Sequence, residues 1–256
     1  MELGDYIRMT PTSTSYTIPA NLTGYTSNQT INPSELNIWR VIRKNEDGTV
    51  EAVSEYVSST QIYFSREAGY INYIKTLNII ATQYTNDKYV SSTRHIGYSN
   101  QTETITDTSK LDQKTPPWTI NTSDQNQWTG CNVSSFLCGT DEELGAGDIG
   151  YETDYNLVNN VYKTMLATTP NGVAAPYWLA SRYYEYYLSH SWGFFGRFVT
   201  ASGSFYYENW RIFNYWHNVQ DNGVTKFSVR PIITLKSDIQ ITSSDGKSVE
   251  KAYRFE

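Results

Sequence analysis

The side chains that most often carry catalysis or bind metals are few in this sequence. It has two cysteines, Cys131 and Cys138, and three histidines, His95, His190 and His217. No Cys and His set has the spacing of a zinc site. No histidine has a serine or cysteine at a spacing that is recognisable for nucleophilic catalysis. We therefore predict no catalytic residue, no metal and no cofactor.

Two short matches to catalytic motifs fail in their context. Gly246-Lys247-Ser248 matches the end of a phosphate-binding loop, but Ile241 stands where that loop requires its first glycine. Ser244 and Lys247 have Ser-x-x-Lys spacing, yet this stretch predicts a β-turn, and the partner motifs Ser-Asp-Asn and Lys-Thr-Gly are missing. The sequence therefore predicts a protein that is not an enzyme.

The cysteine pair and an acidic run could each have a chemical role, but each can also be explained without one. Cys131 and Cys138 enclose six residues, so a disulfide and two reduced thiols are equally consistent with the sequence. The acidic run 141–143 with Asp148 carries oxygen ligands that calcium prefers, but its spacing fits no 12-residue calcium loop. A solvated turn is the better interpretation of the acidic run.

The strongest signal is a run of aromatic residues. Of the chain's 22 Tyr, 9 Phe and 7 Trp, fifteen lie between 183 and 216, interleaved with Ser, Asn and His. This segment has few aliphatic residues to pack around the rings, so we expect many of the rings to face outward. Exposed Tyr, Trp, Ser and Asn are typical of recognition surfaces. The predicted ligand-binding residues are Tyr183, Tyr184, Tyr186, Tyr187, His190, Phe195, Phe205, Tyr206, Tyr207, Asn209, Phe213, Asn214, Tyr215 and His217.

Apolar segments on either side of this run are expected to hold it in place. Residues 177–182 and 227–235 are predicted as buried strands, with Trp178, Phe198 and Phe227 in the core. Arg182 and Arg230 each follow apolar strand residues, and we expect their guanidinium groups to bridge scaffold carbonyls or carboxylates rather than bind ligand. The aromatic run would then be a variable segment between two structurally fixed strands.

The rest of the chain predicts strands, turns and two helices. An entry strand is expected at 5–10, a hairpin at 36–57 around the turn 45–48, and a final strand pair at 239–241 and 252–255. Apolar residues at spacings of three and four predict amphipathic helices at 69–84 and 154–166. Residues from about 94 to 150 are predicted to form an irregular insertion.

Composition excludes two kinds of partner. Charged residues make up 18% of the 256 residues, the net charge is −6, and Lys and Arg form no cluster. Nucleic acids and anionic membrane surfaces both require concentrated positive charge. No segment has the roughly 20 apolar residues of a membrane span, and the first residues have no signal-peptide pattern. We expect no nucleic-acid binding and no direct membrane insertion by this chain.

Several motifs resemble a family of gut-bacterial surface proteins whose members often follow a prepilin-type N-terminal segment. Ser228 stands where this family usually has glycine before Val-Arg-Pro, and we expect any N-terminal anchor to be missing from this sequence. The resemblance covers nearly the whole chain. The motifs are Gly4-Asp5-Tyr6, Trp39-Arg40-Val41 with Glu46-Asp47-Gly48-Thr49, Tyr177-Trp178-Leu179-Ala180-Ser181-Arg182, Val229-Arg230-Pro231, and Leu235-Lys236-Ser237-Asp238-Ile239-Gln240-Ile241.

The closing motif is also similar to the end of C-type-lectin-like domains of the formylglycine-generating type. Proteins diversified by diversity-generating retroelements use that fold, and mutagenesis of Asn codons there yields mostly Tyr, Ser, His, Asp, Phe and Asn. Residues 183–217 are rich in these types. Trp192, Trp210, Trp216, Glu185 and Glu208 cannot arise from Asn codons, so the resemblance implies that they are scaffold or lie outside the mutable set.

Together these observations predict one α+β domain over residues 1–256. Its expected fold is C-type-lectin-like, with two helices on antiparallel strands, long insertions and a variable binding region at 183–217. The expected function is non-catalytic recognition by a pilus-type or adhesin protein displayed on a bacterial surface, with an unknown protein or glycan on another cell or host surface as its ligand. Alternatives are a phage tail or virion receptor-binding protein, a structural pilin-like subunit and a carbohydrate-binding module.

Overall fold

The computed structural model describes residues 1–96, 175–187, 191–199, 205–216, 219–221, 224–242 and 244–256. Between 181 and 221 it describes strand backbone and register, with side-chain burial for 195, 196, 198 and 199. The predicted helix at 154–166 and both cysteines, Cys131 and Cys138, lie outside the described residues. The acidic run 141–143 with Asp148 lies outside them as well.

The described chain is a mixed α+β structure with antiparallel sheets. Its strands, in chain order, are β1 (Tyr6–Arg8), β2 (Tyr16–Ile18), β3 (Gln29–Ile31), β4 (Ile38–Lys44), β5 (Val50–Ser54), β6 (Ile62–Ser65), β7 (Val90–His95), β8 (Tyr177–Tyr187), β9 (Ser191–Val199), β10 (Phe205–Trp216), β11 (Val219–Asp221), β12 (Val224–Phe227) and β13 (Pro231–Leu235). The helices are α1 (Ala20–Thr23), α2 (Arg66–Ile71) and α3 (Tyr73–Thr82), with a 3₁₀ turn at Pro33–Glu35.

A five-stranded sheet forms the base of the fold, in the order β1-β4-β5-β13-β7. The hairpin predicted at 36–57 is confirmed as β4 and β5, which pair from Trp39 opposite Ser54 to Lys44 opposite Val50. Gly48 occupies the left-handed region at φ 83° in their turn. Strand β13 is an interior strand of the sheet, between β5 and β7. The closing strand predicted at 227–235 is divided, because Phe227 ends β12 in a separate two-stranded sheet and β13 begins at Pro231.

The chain ends meet beside the first strand. Ile7 of β1 forms a parallel bridge with Tyr253. The amide of Arg8 donates to the Tyr253 carbonyl at 2.8 Å, and the Tyr253 amide returns a bond to Tyr6 at 2.9 Å. The predicted final strand pair reduces to one antiparallel bridge between Ile241 and Phe255.

The helix predicted at 69–84 is present with a break. Asn72 lies between the two helices, as the C-cap of α2 and the N-cap of α3. The Asn72 side chain donates to the Ala68 carbonyl at 3.1 Å. An asparagine side chain that bonds to the preceding turn competes with regular helix geometry, so one amphipathic pattern gives two helices. The buried face of α3 includes Tyr73, Ile74 and Leu77.

The hydrophobic core has two clusters, one on each side of the base sheet. The larger cluster includes Trp39, Phe64, Tyr73, Trp178 and Phe198 and contains the α3 residues. The smaller cluster is Ile42, Val53, Val57, Ile96, Tyr177, Leu179, Val199 and Ile232. Neighbouring residues on β8 therefore enter different clusters, because successive strand residues point to opposite faces.

The first residues assigned to the predicted insertion belong to a strand, and the rest of it, from residue 97 on, lies outside the described residues. Arg94 and His95 are the last residues of β7, which pairs with β13 along its length. Ile96 is buried and its amide donates to the Arg230 carbonyl at 3.4 Å. The boundary at 94 was wrong because Val90–His95 is mostly polar, the composition of an edge strand with one solvated side.

Candidate functional site

A buried arginine fixes the strand that leads into the aromatic segment. Arg230 is fully buried, and its Nε donates to the Ser54 carbonyl at 3.0 Å while Nη2 reaches the Glu55 carbonyl at 3.5 Å. Its Nη1 donates to the Tyr177 hydroxyl at 3.4 Å. The expectation that this guanidinium bridges scaffold carbonyls is confirmed. The side chain of Arg182 lies outside the described residues.

His95 completes this buried junction. Its Nε2 accepts the Arg230 amide at 3.0 Å, so Nδ1 carries the proton and donates to the Ile96 carbonyl at 3.0 Å. The Ile96 carbonyl also accepts the Ala180 amide of β8 at 2.8 Å. Burial lowers the pKa of His95 to about 4. The imidazole is therefore neutral at physiological pH and joins β7, β13 and β8 structurally.

Trp178 anchors the inner half of β8 in an aromatic cluster. Its indole Nε1 donates to the Ile62 carbonyl at 2.9 Å. The ring packs edge-on against Phe64 and Tyr73 at 5.5 and 5.4 Å. It also contacts the Phe227 ring at 4.6 Å with a tilt of 60°. The core positions predicted for Trp178, Phe198 and Phe227 are confirmed, with 0%, 5% and 8% exposure.

The aromatic segment forms a four-stranded antiparallel sheet in the order β11-β10-β9-β8. Strands β8 and β10, the two neighbours of β9, each contain a bulge with extra residues relative to β9, and both bulges lie opposite the same part of β9. Trp178 and Arg182 of β8 lie opposite Phe198 and Gly196, and β10 has the same interruption between Tyr206 and Trp210. Such bulges bend a strand and increase its twist. They divide the sheet into an inner half joined to the core and an outer half.

Gly196 lies at the division and has no room for a side chain. A Cβ on Gly196 would lie 2.8 Å from the Tyr73 ring and 3.0 Å from the Trp178 ring. The backbone of β9 therefore approaches α3 closely at this level. Everything in β9 before Gly196 belongs to the outer half.

The register of the outer half gathers aromatic positions on one face. Residues directly opposite each other in an antiparallel sheet share a face, and so do residues two apart along a strand. Two alternate rows with seven positions share one face. One position is Gln220 of β11, which lies opposite Tyr215, and the other six are all aromatic. They are Tyr184, Phe194 and Phe213 in one row and Tyr186, Trp192 and Tyr215 in the other. We call this set the aromatic face.

The opposite face of the outer half is mixed. One of its rows is Glu185, Gly193, Asn214 and Asp221, and the next is Tyr187, Ser191, Trp216 and Val219. Tyr183, Phe195 and Arg211 form the row nearest the division, and a second register shift in β10 separates Arg211 from Phe213, so these two residues do not share a face. Predicted ligand-binding residues are therefore split between two faces, and the aromatic face carries aromatic residues at every position except Gln220.

Phe195 was predicted to bind ligand, and this assignment was wrong. Its ring is fully buried, with 0% exposure. It lies in the row next to the division, where the scaffold still covers the strand. The density of aromatic residues could not distinguish Phe195 from Phe194. These two residues are adjacent in β9, and adjacent strand residues point to opposite faces of the sheet.

Other predicted residues fall at the inner end of the sheet or outside the described part. Phe205 lies opposite Val199, and Tyr206 lies opposite Phe198, in rows whose β9 and β8 members are buried. Tyr207 and Asn209 lie in β10 within its register shift, so no partner position is assigned to them. His190 and His217 are outside the described residues.

Two members of the aromatic face were absent from the predicted site. Trp192 is not among the predicted residues because its codon cannot arise from an Asn codon. Phe194 is also missing from the prediction. Period-two alternation with Tyr184 and Tyr186 across a hairpin is the signal that finds both. Using this signal requires the strand register. The bulges shift that register, and the sequence does not show where the bulges lie.

Neither a metal site nor a membrane-spanning helix is found in the described part of the chain. It contains no cluster of three or more His, Cys, Asp or Glu side chains that would hold a metal ion. Among the described residues, no helix has the length and hydrophobicity needed to cross a membrane. Comparison with protein-family models, curated proteins and solved structures finds no match to this chain.

Proposed function

We propose that this protein is a non-catalytic recognition domain that binds a protein or glycan through the aromatic face of its outer sheet. The observation that carries the proposal is the register that brings Tyr184, Tyr186, Trp192, Phe194, Phe213 and Tyr215 to one face. Aromatic side chains offer large contact areas with few torsions to freeze, and they dominate the energetics of many interfaces.

The scaffold suits this role because it is held independently of the face. Arg230, His95 and Trp178 secure the inner half of the sheet through buried hydrogen bonds and ring contacts. Substitution beyond the bulges leaves these contacts in place. A surface of this kind tolerates exchange of its rings, and each exchange changes the partner.

We propose further that the fold is C-type-lectin-like and that the domain is displayed on a bacterial surface, with residues 183–217 diversified by a retroelement. The pairing of the chain ends and the long antiparallel sheet support the fold. The Tyr, Ser, His, Phe and Asn content of the segment supports diversification. Sequencing the locus tests this part: we expect a reverse transcriptase gene and a near-copy of codons 180–218 that differs at adenines. A locus without the repeat would rule out diversification and leave the recognition proposal standing.

The recognition proposal is tested with two sets of variants. One combines Tyr184→Ser, Tyr186→Ser and Tyr215→Ser on the aromatic face, and the matched control combines Tyr183→Ser and Tyr187→Ser on the other face. Labelled proteins are applied to intestinal epithelial cells and to intact gut bacteria, and bound protein is measured by flow cytometry.

We expect wild type and the control set to bind and the aromatic-face set to lose binding, with little change in melting temperature. Exposed substitutions usually shift stability by no more than about 0.5 kcal/mol each. A large fall in melting temperature for the aromatic-face set would mean that these rings are an extension of the core. Equal loss of binding in both sets would contradict the assignment to one face.

A further inference from the structure

A second surface lies on the ribbon formed by β6 and β12. The two strands pair with Tyr63 opposite Lys226 and Ser65 opposite Val224. One side of the ribbon is core, because Phe64 and Phe227 are buried. On the other side Lys226 is exposed and Val224 is 53% exposed, a high value for an aliphatic side chain. Both strands of the ribbon also contact β10.

A stacked tyrosine pair forms the centre of this surface. The rings of Tyr25 and Tyr63 lie 4.5 Å apart with an interplanar angle of 7°, and both side chains are half-buried. The Gln29 amide holds the Tyr63 backbone by accepting its N–H at 2.7 Å and donating to its carbonyl at 3.0 Å. Gly24, at φ 66°, lets the preceding turn approach Ser65 so closely that a Cβ would lie 1.8 Å from its carbonyl oxygen. The stack is therefore fixed before any ligand arrives.

One cation borders the stack, and a second follows the end of strand β6. The Lys226 ammonium lies 5.2 Å from the centroid of the Tyr63 ring, within the range of a cation–π contact. Arg66 follows Ser65 at the end of the ribbon and is exposed. In the described part of the chain its side chain makes no hydrogen bond or ion pair. Both positive charges therefore remain available on a protein whose net charge is −6.

Arg66 also has an unfavourable backbone. Its φ is 57°, and it is the one described residue other than glycine with a positive φ. A side chain with a Cβ is disfavoured in this left-handed region, and residues held there are found disproportionately at functional sites. Glycine would adopt the same backbone without strain. An exposed, unpaired arginine at such a position is therefore explained better by a ligand than by stability.

We propose that Arg66, Lys226 and the Tyr25–Tyr63 stack form a binding site for the carboxylate of an acidic sugar residue. A guanidinium matches a carboxylate in bidentate geometry, while the rings and Val224 match the apolar C–H groups of a sugar. A protein partner of standard size requires about 800 Å² on each side, which is far more than one face of a four-residue ribbon offers. The site does not depend on the aromatic face for its binding.

The test measures binding of trigalacturonate and 3′-sialyllactose to the whole protein by calorimetry at low salt, with maltotriose and lactose as neutral counterparts. The variants are Arg66→Gly, Lys226→Gln and their combination. A double control, Lys44→Gln with Lys251→Gln, removes the same charge from exposed side chains elsewhere. A further variant carries the aromatic-face substitutions of Tyr184, Tyr186 and Tyr215.

We expect at least one acidic sugar to bind and both neutral sugars to fail. Each of Arg66→Gly and Lys226→Gln weakens binding about tenfold or more, as expected for loss of a charged hydrogen bond. The double control and the aromatic-face variant keep wild-type affinity. Arg66→Gly keeps or raises the melting temperature, since glycine relieves the strained backbone, so its loss of binding cannot reflect unfolding.

Three results would overturn the proposal. Wild-type protein that binds neither acidic sugar has no such site. A double control that weakens binding as much as the site variants would show a general charge effect. Tighter binding of a poly-aspartate peptide, lost in the same site variants, would show that the partner is an acidic polypeptide. Loss of cell binding in the aromatic-face variant with intact acidic-sugar binding separates this site from the proposed recognition face.

Discussion

Acidification should weaken the fold through His95. The pKa of this buried imidazole is lowered from 6.5 to about 4, chiefly by burial and also by the nearby Arg94 charge. The neutral ring accepts the Arg230 amide through Nε2. Protonation would place a hydrogen on that nitrogen, break the bond and put a positive charge in a fully buried position.

The size of the effect follows from the two pKa values. The unfolded chain binds this proton near pH 6.5 and the folded chain only near pH 4, so the contribution of His95 is complete above pH 6.5 and is lost as the pH falls toward 4. One pKa unit corresponds to about 1.4 kcal/mol. The full difference is therefore about 3 kcal/mol, of which about 2 kcal/mol is lost between pH 7 and pH 4.5.

Urea denaturation of wild type and His95→Gln at pH 7.0, 5.5 and 4.5 measures this contribution. Glutamine also accepts a hydrogen bond but does not titrate, so we expect its free energy of unfolding to fall less by about 2 kcal/mol over this range. Carboxyl groups such as Asp47 and Asp245 titrate equally in both proteins and cancel. Parallel pH profiles would refute the reasoning. If the variant fails to fold, the wild-type His95 ring signal in proton NMR should not shift between pH 8 and pH 5.

Two glycine positions give further predictions, each measured by chemical denaturation. Gly196→Ala should destabilise the protein by about 1–3 kcal/mol, because its Cβ would overpack Tyr73; an unchanged midpoint would mean that β9 does not approach α3 so closely. Gly24→Ala should lower the free energy of unfolding more than Gly48→Ala does, although both glycines have a positive φ. A Cβ at Gly24 would lie 1.8 Å from the Ser65 carbonyl oxygen, whereas the nearest atom to a Cβ at Gly48 is 3.3 Å away. Gly48→Ala should cost about 1 kcal/mol, and equal losses would contradict the close approach at Gly24.

Local patterns in the sequence predicted much of the scaffold. The β4–β5 hairpin follows from two alternating segments around a turn that contains Gly48. Trp178 and Phe227 could be assigned to the core because apolar strand residues flank them. Helix periodicity located α2 and α3 together, but the break at Asn72 depends on a side-chain bond to Ala68 that periodicity does not encode.

Polar strands and strand register could not be predicted in the same way. Strand β7 was not predicted because the polar residues Ser91, Ser92 and Thr93 are typical of a loop. Pairing with β13 makes this segment a strand. In the aromatic segment, residue types indicated recognition but not which rings share a face. The bulges beside Gly196 set that pattern, and the resulting register separates Phe195 from Phe194.

The central claim is that the aromatic face is accessible to a partner. Native protein treated with tetranitromethane and mapped by mass spectrometry measures the accessibility of each tyrosine. We expect rapid nitration of the face residues Tyr184, Tyr186 and Tyr215. The fully buried Tyr70 and Tyr73 should remain unmodified until the protein is denatured. Protection of the face tyrosines equal to that of the buried pair would contradict the proposed recognition surface.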